Sequence, residues 1–300
     1  MKLLLKTIVA TLAVALFLTS CTKEDRQVVK ACKVDVSVRG ILEDVYSEAE
    51  SKATMPSVVR LNWADGDKVY AYDATQYLGE LTVSIKEGNY LYAYLSGTLD
   101  RTPVSGTTVI TLVYSKGVAE APAITDGKIS VDISSQNDSS IPFVVYGMLK
   151  YNAGQTTVSD QYVQFSFATS ILKISCGGLV TDEAGKAITI DRVDIEGINT
   201  VCELTVSNTA APTVSGGVAG VITRSGAGSF SLADSRVIFQ AGAVPTASSS
   251  ARKINIYQGA KISQSKFSAS SLKPAVAYNM IYEMKECASM SLPFFTGSSF

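Results

Sequence analysis

Residues 33–39 of this 300-residue chain are Lys33-Val34-Asp35-Val36-Ser37-Val38-Arg39. Apolar valines alternate with charged or polar residues, so Val34, Val36 and Val38 share one face of an extended chain. A period of two is the spacing of side chains on one face of a β-strand. The segment therefore predicts a half-buried strand that ends at Arg39.

The same period recurs along almost the whole chain. Charged residues make up only 18% of the sequence, and long helix-forming runs are scarce. Further strands are predicted at residues 58–63, 68–72, 80–85, 89–95, 107–114, 128–133, 144–151, 162–167, 171–175, 188–195, 202–206, 237–240, 253–258 and 278–284. Many short strands separated by turn residues are typical of an all-β protein.

A polar stretch at residues 152–157 divides these strands into two sets. Without the first 20 residues, about 280 remain, too many for one ordinary β-sandwich but enough for two domains that each bury a core. We therefore expect an N-terminal β-sandwich over residues 33–155 and a C-terminal one over residues 156–300.

The N-terminus has the pattern of an export signal. Lys2 and Lys6 precede an apolar run from Thr7 to Leu18, which is too short for a helix that spans a membrane. The run ends in Leu18-Thr19-Ser20-Cys21, which resembles the lipobox of bacterial lipoproteins. That resemblance implies cleavage between Ser20 and Cys21 and attachment of palmitate-type acyl chains to Cys21. A plain secreted protein is the alternative.

Residues 21–32 then form a polar tether. Lys23-Glu24-Asp25 resembles the export tag that sends lipoproteins of Bacteroidetes-type bacteria to the outer face of the outer membrane. The expected location is therefore the cell surface, with outer-membrane lipid held through Cys21. Several acyl chains hold a protein on a membrane persistently, whereas one chain does not.

The chain contains no histidine. Ser-His-Asp and Cys-His catalytic arrangements and zinc sites with imidazole ligands are therefore excluded. No acidic pair stands in a recognisable glycosidase context, so we expect no enzyme, no metal and no cofactor. Two of the 26 basic residues lie in the signal, so the remaining 24 stand against 27 acidic residues and give a formal charge of −3. This charge does not favour binding to nucleic acid.

Four cysteines remain after Cys21, namely Cys32, Cys176, Cys202 and Cys287. An even number in an exported protein favours disulfides, with three possible connectivities, and Cys176 and Cys202 lie in neighbouring strand-like segments. Cysteine is also among the most buried residue types, so small apolar core residues are the alternative.

Three groups of residues occur in a characteristic order. They are Ser51-Lys52-Ala53 with Asn62-Trp63-Ala64-Asp65-Gly66-Asp67-Lys68-Val69-Tyr70, Phe165-Ser166-Phe167 with Leu172-Lys173-Ile174, and Leu272-Lys273-Pro274 with Tyr278. In this order after a lipobox, they resemble the fimbrillin family, the lipoprotein precursors of Bacteroidetes type V pili and their relatives. The resemblance spans about residues 33–283. It implies two tandem transthyretin-like (Greek-key) β-sandwich domains.

The resemblance also implies a mode of assembly. A trypsin-like protease cuts after an arginine, an N-terminal strand leaves with the lipid, and a strand of another fimbrial subunit fills the groove. In this chain the expected cut is Arg39-Gly40, and the displaced strand carries Val34, Val36 and Val38. Arg60 is a second candidate that we expect its own strand to protect.

The expected donor strand is the tail, residues 286–300. Its apolar residues alternate, and Pro293 suits an edge or inserted strand because it lacks a backbone donor. The alternating residues are Ala288, Met290, Leu292 and Phe294. The other interpretation is that the tail completes its own domain.

Two other functions stay open. A subunit that keeps its lipid would be a tip or anchor adhesin of the pilus. A glycan-binding surface lipoprotein would use a platform of stacked tyrosine rings, predicted from Tyr90, Tyr92 and Tyr94 near Tyr70, Tyr72 and Tyr77. Host or glycan ligands are therefore expected partners in either case.

Overall fold

The computed structural model describes residues 33–47, 58–59, 61–86, 92–116, 120–137, 142–178, 189–217, 219–226, 230–233, 236–245, 252–259, 261–267 and 271–287. These residues form β-strands joined by turns and loops, with no helix among them. The all-β prediction is confirmed.

The strands of the first part of the chain are β1 (Val34–Leu42), β2 (Val45–Ser47), β3 (Val58–Val59), β4 (Lys68–Tyr72), β5 (Tyr77–Ser84), β6 (Ala93–Leu99), β7 (Val109–Ser115), β8 (Ile124–Thr125), β9 (Lys128–Asp132), β10 (Ser135–Gln136), β11 (Val144–Lys150) and β12 (Thr157–Phe167). The later strands are β13 (Ser170–Gly177), β14 (Arg192–Asn199), β15 (Val201–Thr205), β16 (Thr213–Gly216), β17 (Ala219–Ser225), β18 (Ser231–Ala233), β19 (Arg236–Ala243), β20 (Arg252–Gln258), β21 (Lys261–Phe267), β22 (Val276–Glu283) and β23 (Lys285–Cys287).

Seven strands form a closed sheet in the order β1-β12-β11-β7-β4-β5-β6, and β6 pairs again with β1. Alternate side chains of these strands point to the inside and form the first core, which includes Trp63, Leu95 and Phe165. Closure leaves none of these strands at an exposed edge.

The remaining strands form three open sheets. Two six-stranded sheets, β10-β17-β14-β20-β21-β23 and β18-β19-β13-β22-β2-β3, contribute side chains to a common second core. A four-stranded sheet, β16-β15-β9-β8, contributes with β4 and β7 to a third core. The two six-stranded sheets enclose this second core, and they include β2, β3 and β10 from the first part of the chain.

Strand pairing crosses the predicted division at residue 155. β12 follows the division but lies in the closed sheet, and β9 precedes it but pairs with β15. The closed seven-stranded sheet is not part of the predicted pair of sandwiches. This sheet arises from the parallel pairing of β1 with β12, a long-range contact that no local sequence pattern indicates. The domain boundaries themselves stay a prediction.

The sequence also predicts a hairpin in which residues 58–63 and 68–72 pair across the turn Ala64-Asp65-Gly66-Asp67, and this prediction is wrong. The strand at Lys68–Tyr72 is confirmed, but it pairs with β5 and β7, and not with the segment before the turn. The turn itself forms where predicted, because Gly66 has a φ of 83°, which glycine adopts at no steric cost. Residues after the turn meet β5 instead, since the Val83 amide donates to the Asp67 carbonyl at 2.8 Å.

Two of the segments that carry the family resemblance have structural roles, and Ser51-Lys52-Ala53 lies outside the described residues. Trp63 is buried in the first core, with its ring centroid 4.8 Å from that of Tyr114 and 5.2 Å from that of Phe165. In the late segment, the Lys273 amide donates to the Tyr278 hydroxyl at 2.8 Å and closes the turn before β22. Trp63 and Tyr278 therefore stabilise the first and second cores respectively.

Candidate functional site: the first strand and the Arg39 cluster

Strand β1 is hydrogen-bonded along both of its edges. It runs parallel to β12 in a register that extends from Asp35 to Leu42, and antiparallel to β6 from Val34 to Gly40. A strand in this position has its backbone groups satisfied by two neighbours. Removing it would therefore expose the edges of both β6 and β12.

The three valines of β1 point into the first core. Their exposed fractions are 0% for Val34, 3% for Val36 and 2% for Val38. Each fully buried valine contributes about 1.5–3 kcal/mol relative to an exposed one, so the three together contribute about 5–9 kcal/mol at most. The predicted alternation is confirmed, and burial of the three valines provides a large part of the free energy that holds β1 in the sheet.

The predicted end of the strand at Arg39 is wrong. β1 continues to Leu42, so the Arg39-Gly40 peptide bond lies inside the closed sheet and both of its residues pair with β6 and β12. The reason is the pairing with β12, which extends the strand three residues past Arg39. A protease that binds its substrate as a separate extended chain reaches this bond only when β1 opens.

Gly40 is required by packing. A Cβ atom on this residue would lie 2.9 Å from Leu95 Cδ1 and 3.1 Å from both Phe165 Cε2 and Trp63 Cζ2. These distances are shorter than ordinary carbon contacts, which lie at about 3.5–4.0 Å. The side chains of the first core therefore close over the predicted processing bond from the inside.

On the outside, the Arg39 side chain lies among three tyrosine rings. The centre of its guanidinium is 5.6 Å from the ring centroid of Tyr92, 5.7 Å from Tyr94 and 5.0 Å from Tyr162. The Lys86 ammonium nitrogen lies 4.6 Å from the Tyr94 centroid. We call these five residues the Arg39 cluster. Each contact is within the distance at which a cation is attracted to an aromatic face.

Hydrogen bonds join the members of the Arg39 cluster. Arg39 Nη1 donates to the Tyr162 hydroxyl, and this bond raises the pKa of the guanidinium. The pKa of Tyr94 is lowered by its hydrogen bond with Tyr92 and then by the Lys86 ammonium. The cluster therefore joins side chains of β1, of β12 and of the segment around β6 at the position of the predicted cut.

A β-bulge places Tyr162 beside Arg39. The register between β1 and β12 shifts between Ser37 and Arg39, and in this interval Asp160 has a φ of 59°. The extra residue reverses the alternation of β12, so Tyr162 is 60% exposed while Val163 is buried. Sequence reasoning missed Tyr162 because a bulge is set by the paired strand and has no reliable local signal.

The predicted tyrosine platform forms only in part. Tyr70 and Tyr72 are 3% and 0% exposed and belong to the third core, where the Tyr72 hydroxyl donates to the Pro122 carbonyl at 2.7 Å. Tyr77 packs against that core, and Tyr90 lies outside the described residues. The two tyrosines of the prediction that join the cluster are Tyr92 and Tyr94.

No disulfide joins Cys176 to Cys202. Cys176 is buried in the second core and Cys202 in the third. Burial raises the pKa of Cys202 to about 12. A disulfide between them is therefore excluded, and the alternative of small core residues is confirmed for this pair. Cys32 and the side chain of Cys287 lie outside the description.

Several predicted site residues lie outside the described residues. These are Ser20, Cys21, Arg60, Ala288, Met290, Leu292 and Phe294. The start of the predicted donor tail is described, and residues 286–287 belong to β23, which pairs with β21 in the chain's own sheet.

The described ranges contain neither of two further kinds of feature. No helix long and apolar enough to cross a membrane occurs there. Within the same ranges, no group of three or more histidine, cysteine, aspartate or glutamate side chains is arranged to hold a metal ion.

The chain is similar in structure to several proteins of known structure. No protein-family model and no curated protein matches the sequence. A proposed cell adhesion protein from Bacteroides ovatus is similar with a TM-score of 0.44 and 13% identity, over 84% of this chain and 95% of that one. A fimbrial assembly protein from Parabacteroides distasonis has a TM-score of 0.41 and 11% identity, over 83% and 90%.

The fimbrial anchor protein Mfa2 from Porphyromonas gingivalis is also similar, with a TM-score of 0.35 and 14% identity over 75% of this chain and 78% of that one. The names of these three proteins describe adhesion and fimbriae.

Proposed function

We propose that this chain is a structural subunit of a cell-surface fimbria that supports adhesion. It is exported as a lipoprotein precursor held by Cys21 in the outer membrane, and it assembles when β1 is removed and a strand of another subunit takes its place. The observation that carries the proposal is β1 itself, a separate N-terminal strand that is paired on both edges and buries alternate valines. Two tandem transthyretin-like sandwiches are the finer fold that this proposal includes.

Loss of β1 would leave a groove of defined width and chemistry. Neighbouring strands lie about 4.8 Å apart, so β6 and β12 would face each other across about 10 Å, the space of one strand. Buried side chains of both neighbours, among them Leu95, Leu99 and Val158, would then meet water. A strand with apolar residues at every second position restores both the hydrogen bonds and the burial.

The tail has the pattern that this groove requires. Ala288, Met290 and Leu292 are spaced as Val34, Val36 and Val38 are, and Phe294 extends the series. Among the described residues β23 is an edge strand of its sheet, and in the sequence it is followed directly by the predicted donor residues. The tail of one subunit is therefore the donor in this proposal.

Native cleavage tests the proposal. The full precursor is treated with an arginine-specific trypsin-like protease, the new N-terminus is identified by mass spectrometry, and size is followed on native gels. Arg101 is exposed in the loop after β6 and is a competing target, so the experiment uses Arg101→Gln as its background. Arg39→Gln in this background is the matched control.

We expect a new N-terminus at Gly40, followed by a ladder of oligomers that the Arg39→Gln protein does not form. A cut at Arg39 that leaves only monomers would refute strand exchange. Resistance at Arg39 under conditions that cut Arg101 in the unchanged chain would refute the processing step.

A tip or anchor subunit that keeps β1 is the second candidate. It is favoured by the place of the Arg39-Gly40 bond inside the sheet and by the contacts of the arginine side chain. Such a subunit would remain lipidated and monomeric in the same experiment, so the two functions give opposite results.

A further inference from the structure

The Arg39 cluster presents aromatic surface to the solvent. Tyr162 is 60% exposed, and Tyr92 and Tyr94 are half-buried. Their rings meet edge to face, with centroids 5.6 Å apart for Tyr92 and Tyr94 and 6.5 Å apart for Tyr92 and Tyr162. Rings in this arrangement offer faces at different angles, and together they form a wall beside the guanidinium.

The cluster also holds two cations without a carboxylate. Within the described part of the chain, neither Arg39 nor Lys86 forms an ion pair. A comparable pair elsewhere is neutralised, because Arg192 lies 4.1 Å from the Tyr257 ring and its Nη2 is 3.3 Å from Asp194 Oδ2. The Arg39 cluster is therefore locally positive on a chain whose formal charge is negative.

We propose that the Arg39 cluster binds an acidic glycan. A sugar ring has a face of C–H groups that packs on an exposed aromatic ring such as Tyr162, while its hydroxyl groups stay hydrogen-bonded at the edges. The carboxylate of a uronic acid accepts hydrogen bonds from the guanidinium, whose planar fork matches a carboxylate, and from the Lys86 ammonium.

The bulge on β12 indicates that the exposed ring is a built feature. With regular pairing, Tyr162 would face the first core and Val163 the solvent. The fold instead tolerates Asp160 at a φ of 59°, where residues other than glycine are strained, and turns the ring outward beside Arg39. Such strain is concentrated at functional sites, where the surrounding structure maintains it.

This binding site does not depend on strand exchange, but it would affect processing. Arg39 comes from β1, Tyr162 from β12, and Tyr92 and Tyr94 from the segment around β6. A ligand that contacts all of them binds only while β1 is in place, so the closed sheet becomes more stable as the ligand concentration rises above its dissociation constant. The glycan would therefore slow any cut at Arg39.

The test is calorimetric titration of the full chain, uncut, with an oligomer of galacturonic acid and with the methyl ester of the same oligomer. We expect saturable binding of the acid, at least about tenfold weaker binding of the uncharged ester, and a similar loss in Tyr162→Ala and Arg39→Gln. Tyr162→Phe keeps the ring and should retain most of the affinity. Tyr257→Ala, which removes the neutralised pair's ring, is the matched control and should bind as the unchanged chain does.

Three results would overturn the proposal. The first is no saturable binding by a chain whose thermal unfolding shows it to be folded. The second is equal binding by Tyr162→Ala and the unchanged chain. The third is complete displacement of the galacturonic acid oligomer by polyglutamate, which carries carboxylates but no sugar ring. That result would show that the cluster binds any polyanion through its positive charge alone. None of these results bears on oligomer formation, so the proposed fimbrial function is tested separately.

Discussion

Val36→Ala should make the Arg39-Gly40 bond much easier to cut in the native protein. Val36 lies at the centre of the buried face of β1 and is 3% exposed. The substitution removes two methyl groups, about 1.6 kcal/mol by transfer, and the cavity left behind raises the total to about 2–3 kcal/mol. Because β1 must open before the bond is reached, this amount is subtracted from the free energy of opening.

A decrease of about 2–3 kcal/mol raises the open population about 30- to 150-fold, and cleavage rises equally when opening is fast relative to cutting. The assay is the initial rate of appearance of the Gly40 N-terminus, measured by mass spectrometry at low protease concentration. The matched control is Val193→Ala, a fully buried valine of the second core on β14. It weakens the protein by a similar amount without touching β1.

The reasoning requires that Val36→Ala accelerates the cut far more than Val193→Ala does. Equal acceleration by both variants would mean that the bond is reached through global unfolding. No acceleration by Val36→Ala would mean that opening of β1 does not control access, and the proposed groove would lose its main energetic support.

Three further outcomes are expected. Gly40→Ala should lower the free energy of unfolding by about 1–3 kcal/mol in urea titrations, since its methyl group would overlap Leu95; an unchanged midpoint would contradict the packing described. Asp160→Gly should leave stability equal or higher, and Asp160→Val should lower it by about 1–2 kcal/mol, because a β-branched residue is strained at a φ of 59°; the reverse order would exclude the bulge. Cys202 should resist alkylation by iodoacetamide at pH 8.5 until denaturant is added, because burial raises its pKa to about 12; modification of the folded chain would contradict this. The folded state keeps the Cys202 proton that the unfolded state loses, so this residue's contribution to stability should fall as the pH rises from about 8.5 towards 12.

The strands themselves were largely predictable. The alternation of Val34, Val36 and Val38 identifies both β1 and its buried face, and Lys68–Tyr72 is found with the bounds expected. These strands are predictable because the period of two that identifies them involves only residues close together in the sequence. The pairing of strands is different, because the partner of β1 begins at Thr157, more than a hundred residues along the chain.

The candidate site shows the same limit. Arg39 was singled out as the end of a strand, but its position inside the sheet depends on β12. Tyr92 and Tyr94 were grouped correctly because they alternate along one strand. Tyr70 and Tyr72 have the same local pattern, yet they belong to a core, since a second sheet covers that face. Exposure depends on what packs against a strand, and the strand's own sequence does not specify it.

The sequence by itself determined an all-β chain and the exclusion of histidine-dependent chemistry. These follow from composition and from patterns within a few residues, which need no knowledge of distant contacts. Only the tertiary structure decided that seven strands close into one sheet, that the Arg39-Gly40 bond lies inside it, and that a bulge at Asp160 brings Tyr162 to the arginine. The physical reason is that hydrogen bonds between strands join segments far apart in sequence, and one extra residue in such a pairing reverses which side chains face the core.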